Sequence, residues 1–516
     1  LPVTLLIKRR GNLSFSQNEI SVGFSRLALG AALMLASCAV GPDFKSPTPP
    51  ATSGYTVDKL SPTSFTNTQA GARQIFVTGL DIPAQWWTLF RSRKLNRLVA
   101  QAFDANPNID AAKAALRQAH ELYEAERTSF WPFAAGNFSA QRSKSALGAV
   151  STPVSTLSPY YSLYTAQLSL SYVPDVFGGT RRAVEAARAQ EDSTRFQLEA
   201  VYLTLSSNVV VTAIQEAALR EQIATTERQL ALQRDLTRRT LAQRALGSAS
   251  ELDVLSQQAA EAATAQTLPP LKKQLAQARD ALAALLGRLP ADQPTEQFRL
   301  AEISLPVELP VSLPSKLVGQ RPDIAQAEAN LHAATAEVGV AVANMLPQIS
   351  LDANVGSSGL TPGQLFTPGF GFWTIGSSVS QTLFDAGALL HKRRAADAAM
   401  QQALAQYRAT VVQAFQNVAD TLRTLQADAD ALQASAEADR TAARSFELTR
   451  RQFGLGTVSE VNLMAAEQNW RQAELTLVQA QANRYSDTAG LFQALGGGWW
   501  NRPLEAQNVP PDPAGR

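Results

Sequence analysis

Across 516 residues the formal net charge is only +2, with 17% of positions charged and 7% aromatic. Charges of both signs are interspersed and no dense basic block occurs, so the phosphate-neutralising surface of a nucleic-acid binder is missing. A single cysteine, Cys38, excludes an internal disulfide framework and a thiolate metal cluster, and asks for a positional explanation.

That explanation lies just before it. Arg26 precedes an uncharged, mostly apolar run from Leu27 to Ser37 that ends in Leu35-Ala36-Ser37-Cys38. A permanent span needs about 20 apolar residues, so this shorter run reads as a cleaved lipoprotein signal within residues 1–37, everything before about Gly23 being an upstream extension. Cys38 then becomes the first mature residue and carries acyl chains, such as palmitate, on its thiol and amine. Each buried methylene adds about 0.8 kcal/mol of membrane affinity. Bacterial lipoproteins retained at the inner membrane usually place Asp after this cysteine; Ala39 stands there, which favours the outer membrane.

After a lipidated, extended segment over residues 38–94, the chain is one plan written twice. Residues 95–290 form the first copy and 315–499 the second, with a proline-rich linker at 291–314 and a tail at 500–516. Asn106-Pro107-Asn108-Ile109 resembles Arg321-Pro322-Asp323-Ile324, and Pro322 and Pro347 each stand 215 residues after Pro107 and Pro132. Later, Gly247-Ser248-Ala249-Ser250-Glu251 mirrors Gly456-Thr457-Val458-Ser459-Glu460, 209 residues on. Such a period is far too long for a solenoid, so a duplicated domain is expected. In the linker, Pro294, Pro306, Pro310 and Pro314 discourage any regular element.

Within the first copy, strands are expected at about 133–142 and 160–173. The second of these sets Tyr160, Tyr164, Leu168, Leu170 and Tyr172 against Thr165, Gln167, Ser169 and Ser171. No proline follows from Val176 to Leu268, which predicts a helix from Arg181 to Leu246, roughly 100 Å long at about 1.5 Å per residue. Gly247 ends it, because glycine tolerates the left-handed C-terminal cap. The second copy repeats this order. Ile349, Leu351, Ala353 and Val355 alternate with polar residues in a strand at about 347–357, and Trp373, Ile375, Val379 and Leu383 do so in another at about 371–384. A proline-free run from Gly369 to Arg502 holds the next long helix, in which Leu404, Val411, Val418 and Leu425 recur every seven residues as a coiled-coil seam. Gly456 marks its tip. Loops at Ser143–Pro159 and Gly356–Gly369 cap the strand pairs.

Strands with a greasy face, a polar face and aromatic ends are the pattern of a lipid-embedded barrel around a wet lumen. Four strands cannot close one, since membrane barrels need at least eight, so the chain must oligomerise. Catalytic patterns are not apparent: His120, His332 and His391 are scattered helix-surface residues, and neither a zinc motif, a nucleophile elbow nor a phosphate loop occurs. An adaptor protein is a rival reading, but it would show one hairpin with compact β-domains rather than a duplicated plan.

Cys38 followed by Gly41-Pro42-Asp43-Phe44, then Gln85-Trp86-Trp87-Thr88-Leu89-Phe90, Asn106-Pro107, Val176-Phe177-Gly178 and Leu383-Phe384-Asp385-Ala386-Gly387 together resemble the TolC-like outer-membrane factors. Within them the chain resembles the OprM and NodT kind of lipoprotein that serves resistance-nodulation-division pumps. The resemblance runs from Cys38 to about Trp499. It implies a mainly α fold with a membrane β-barrel part: a homotrimer with a twelve-stranded barrel on an α-helical barrel. It implies outer-membrane lipid around the strands, a periplasmic adaptor at the tips Gly247 and Gly456, and through it an inner-membrane transporter supplying energy. No cofactor is implied beyond the lipid on Cys38. The exit duct of a type I protein secretion system is the nearest alternative. In this family, residues just after the second tip narrow the periplasmic mouth, often with Asp; here Asn462 and Ala465 hold those positions and Gln468 stands where a basic residue can occur. Asp253 at the first tip completes the candidate aperture, with Glu460 and Glu467 nearby, and all three read equally as solvated tip residues.

Overall fold

The computed structural model describes residues 39–52, 54–144 and 160–502. Cys38 and the signal region, most of the loop expected at Ser143–Pro159, and the tail beyond Arg502 lie outside the described residues. In chain order the first half runs β1 (Ile75–Thr78), α1 (Arg93–Ala105), α2 (Pro107–Arg127), β2 (Phe133–Lys144), β3 (Tyr160–Tyr172), α3 (Gly179–Ala245) and α4 (Glu251–Leu285). The second half runs β4 (Glu308–Val311), α5 (Pro314–Gln320), α6 (Pro322–Ala343), β5 (Gln348–Gly359), β6 (Gly371–Ser380), α7 (Ala388–Gly454) and α8 (Glu460–Ala494). The internal repeat is exact in length where it matters: α3 and α7 each span 67 residues, and α4 and α8 each span 35. Among the described residues no helix is long and apolar enough to cross a membrane.

The chain divides into two compact units. Of the described residues, the first comprises 39–44, 122–144, 160–188 and 332–401. Its sheet is antiparallel, in the order β2-β3-β5-β6. Strand pairing aligns like with like, because side chains alternate and a one-residue slip would invert every face. Ala134, Leu170, Ala353 and Ile375 form one row, and Gly136, Leu168, Val355 and Trp373 the next. Between them lies Ala135-Ser169-Asn354-Thr374, on the opposite face. That polar face is cross-linked: Ser171 donates to Asp352 at 2.9 Å, and the hydroxyls of Ser350 and Ser378 lie 2.8 Å apart. In this sheet β2 and β6 are edges, each with one neighbour.

The expectation that the last strand reaches residue 384 is corrected: β6 stops at Ser380, opposite Gln348, the first residue of its partner. Beyond that point no partner residue remains, and the Gln381 side chain instead bonds the Met345 carbonyl at 3.1 Å. In the same unit, the segment after Cys38 is pinned down. Asp43 accepts from Arg182 at 2.5 Å, Arg182 also donates to Glu185 at 2.7 Å, and Phe44 stacks on His332 with ring centroids 4.3 Å apart.

Of the described residues, the second unit comprises 45–52, 54–121, 189–331 and 402–502. Its core gathers Trp86, Phe90, Leu95, Leu98, Val209, Leu282, Tyr485 and Phe492, with Trp86 stacked on Phe492 at 5.3 Å. The heptad seam of α7 is buried as its spacing predicts, through Val411, Val418, Leu422, Leu425 and Leu432. One expectation needs correction. The linker is not free of regular structure: β4 pairs in parallel with β1, matching Leu309 to Phe76, and tolerates Pro310 because this two-stranded ribbon leaves outer edges where a missing donor costs nothing. Pro269 and Pro270 lie inside α4.

Candidate functional site

The two helix hairpins of the second unit place the residues singled out in the sequence. Gly247 has φ +74° and Gly456 φ +70°, the left-handed region where other residues are strained. Each closes the same C-terminal cap: Ser248 N–H donates to the Gln243 carbonyl at 2.9 Å, and Thr457 N–H to the Gln452 carbonyl at 3.0 Å. Past each glycine a serine starts the return helix. Ser250 caps α4 and Ser459 caps α8, their hydroxyls accepting from the backbone N–H of Asp253 and Asn462.

Asp253 and Asn462 are therefore the same position in the two copies. Asp253 completes a reciprocal capping box, accepting from the Ser250 N–H at 2.8 Å and hydroxyl at 2.7 Å. Those bonds, the side-chain one first, hold its carboxyl below the usual carboxylate range. Asn462 carries no charge and completes no such box. Its side chain is exposed, as are those of Ala465 and Gln468. At about 100° per residue these three positions centre on the side of α8 opposite Leu463 and Glu467. The structure thus brings Asn462, Ala465 and Gln468 onto one open face, and assigns Asp253 to the start of a different helix.

The buried side of α8 holds what the sequence reading misjudged. Glu467 was expected to be solvated; it is 0% exposed, and neither carboxyl oxygen has a hydrogen-bond partner. Burial pushes its pKa up to about 7, against the pull of Arg471 and Arg450. It shares a stripe with Leu463 and Trp470, which pack with Leu236 of α3 and Phe446 of α7. The signal was available: 463, 467, 470, 474 and 478 follow the spacing of a buried seam. Glu460, by contrast, accepts from Thr240 of α3. Nearby, Arg471 donates to Glu474 at 2.9 Å and lies over the Trp470 ring at 4.0 Å, while Arg228 of α3 reaches Glu474 at 3.1 Å. Charged links thus tie α3 to α8 on either side of the apolar cluster. No group of three His, Cys, Asp or Glu residues that could hold a metal ion occurs among the described residues.

Comparison with known proteins adds to this geometry. A family model described as "Outer membrane efflux protein" matches residues 98–288 and 313–497, the two copies of the repeat. The pyoverdine export outer membrane protein OpmQ of Pseudomonas putida is 29% identical over 418 residues, covering 80% of this chain and 88% of that protein. The probable outer membrane lipoprotein SilC of Salmonella typhimurium is 28% identical over 478 residues, covering 92% and 98%. Among solved structures, the outer-membrane channel OprN superposes with a TM-score of 0.79 at 27% identity, covering 90% of this chain and all of that one.

Proposed function

The chain belongs to the outer membrane efflux protein family, and on that premise we propose that three copies close into one passive duct, anchored by lipid on Cys38. It is a TolC-like outer-membrane channel of an efflux system, mainly helical with a barrel part. The observation that carries the oligomer is the four-stranded sheet with a greasy face, a polar face and two edge strands. In hydrocarbon each unpaired backbone group at those edges costs several kcal/mol, so β2 of one copy must meet β6 of the next. Three copies give twelve strands, above the minimum of eight for a membrane barrel.

The remaining parts follow from this arrangement. The glycine-capped hairpins present Gly247 and Gly456 to a periplasmic adaptor, through which an inner-membrane resistance-nodulation-division transporter does the work. Asn462, Ala465 and Gln468 line the mouth of the duct, which is polar there but uncharged. Small molecules leave along the polar face of the sheet, and the chain itself performs no chemistry on them. Supporting the pump reading, relatives export pyoverdine, and a neighbour is an outer-membrane channel, in the words that describe them.

The test is native mass measurement of the acylated, detergent-purified protein, followed by planar-bilayer recording. A trimer that conducts is expected. A monomer that stays soluble without detergent overturns the reading, and a conducting trimer that co-purifies with a secretion ATPase instead of an adaptor and pump reassigns it to protein secretion.

A further inference from the structure

A carboxyl with no exposure and no hydrogen bond is costly, since an unpaired buried charge loses several kcal/mol of solvation, and such a group keeps its proton instead. Glu467 is buried within a single chain, so association with further copies can only bury it more deeply. It sits on the stripe of α8 that packs on α3 and α7, while the opposite face carries Asn462, Ala465 and Gln468. We propose that Glu467 is a proton latch on the periplasmic mouth: protonated, it lets α8 lie packed and the mouth narrow, and ionised, it draws water into the seam and releases the tip. This rests on the reading that the open face of α8 lines the mouth.

The charges around the group leave it without a ready counter-ion. From α8 itself, Arg471 is engaged by Glu474 and the Trp470 ring. From α7, Arg450 acts on Glu467 through space, while Arg444 and Arg451 are paired with Glu447, and Asp439, itself pushed up by burial, lies near Arg471 and Glu474. From α3, Leu232 and Leu236 face the cluster, and Asp235 pairs with Arg238 and Arg239 away from it. Neither nearby arginine is within bonding distance of the carboxyl oxygens, so ionisation is met by solvent.

The sign follows from linkage. In water a glutamate titrates near about 4.3, and in the packed helix burial pushes Glu467 up to about 7. The packed state therefore binds the proton more tightly. Packing is firmest below the solvent value, weakens by roughly tenfold per pH unit up to the packed-state value, and is flat above it.

The experiment compares the full-length acylated protein with Glu467→Gln, which keeps shape and size but cannot ionise. Open probability in planar bilayers is recorded from pH 5 to pH 8. Wild type is expected to open at least tenfold more at pH 7 than at pH 5 with no further rise above, and Glu467→Gln to stay closed throughout. Identical pH profiles for the two proteins, or a wild type that conducts without pH dependence, overturn the latch. Should wild type not conduct at all, the channel reading fails separately, and hydrogen exchange of residues 460–475, corrected for intrinsic rate, decides the latch. Protection lost between pH 5 and pH 7 in wild type but kept in Glu467→Gln supports it, and equal loss in both overturns it.

Discussion

At the scale of single residues, the tips are held by serine caps rather than by burial. Ser459 satisfies one of the orphan donors at the start of α8, and removing such a cap costs about 1 kcal/mol of local stability. Ser459→Ala should therefore speed exchange of the amides at 461–464 by roughly fivefold, since 1 kcal/mol corresponds to about that factor. Ser250→Ala should loosen α4 more, because it also removes the hydroxyl that donates to Asp253 and leaves that carboxyl only the backbone N–H of residue 250. Equal effects in the two hairpins would show that Asp253 adds nothing to the cap. The comparison matters for function because Asp253 is charged and reads as an aperture residue in the sequence, and its carboxyl also closes the cap of its own helix. Asn462, at the same position in the second copy, leaves that end of α8 more weakly tied, beside the buried carboxyl of Glu467.

At the scale of elements, the two copies match in length but differ in one place that length conceals. Pro269 and Pro270 deprive the Ala265 and Gln266 carbonyls of α4 of their donors, and the corresponding residues of α8, Val478 and Gln479, impose no such break. A groove of about 640 Å³ lined by Thr226, Gln266, Pro270 and Gln472 opens beside the pair. Replacing both prolines with alanine should strengthen α4, by up to about 3 kcal/mol per residue if the present helix is fully strained. Higher protection at 262–275 with unchanged protection in α8 is the expected result; no change there would mean the surrounding helices already hold α4 straight. Sequence alone predicts the long helices, because proline-free runs and a heptad seam from Val411 to Leu425 are strong local signals. It predicts the strands too, since Ile349 to Val355 alternate strictly. Less legible were features fixed by partners distant in the chain. The pairing of β1 with β4 joins residues more than two hundred positions apart, the end of β6 depends on where β5 begins, and the burial of Glu467 depends on α3 and α7 covering it. The candidate site was legible as glycines and caps, but not as a choice between buried and open faces of α8.

At the scale of the whole molecule, the sheet makes the sharpest demand. Its rows alternate so strictly that adjacent residues of β6 meet different solvents: Ile375 continues the row Leu170-Ala353, while Thr374 continues the row Ser169-Asn354. If the greasy rows face lipid and the polar rows face a lumen, the same charge introduced one residue apart must have opposite consequences. An arginine on the lipid side near the middle of the bilayer costs about 2–4 kcal/mol, and the proposed trimer would place three of them in one barrel. Ile375→Arg should therefore cut the amount of heat-resistant oligomer recovered from outer membranes severalfold or more. Thr374→Arg should assemble at close to the wild-type level, because its guanidinium stays in water, and should shift the channel toward anions in bilayer recordings. Both strands keep their backbone pairing in either variant, so a difference between them reports which side is wet. Equal loss of assembly would mean that both faces are packed against protein, and a sheet covered on both sides cannot be the wall of a channel.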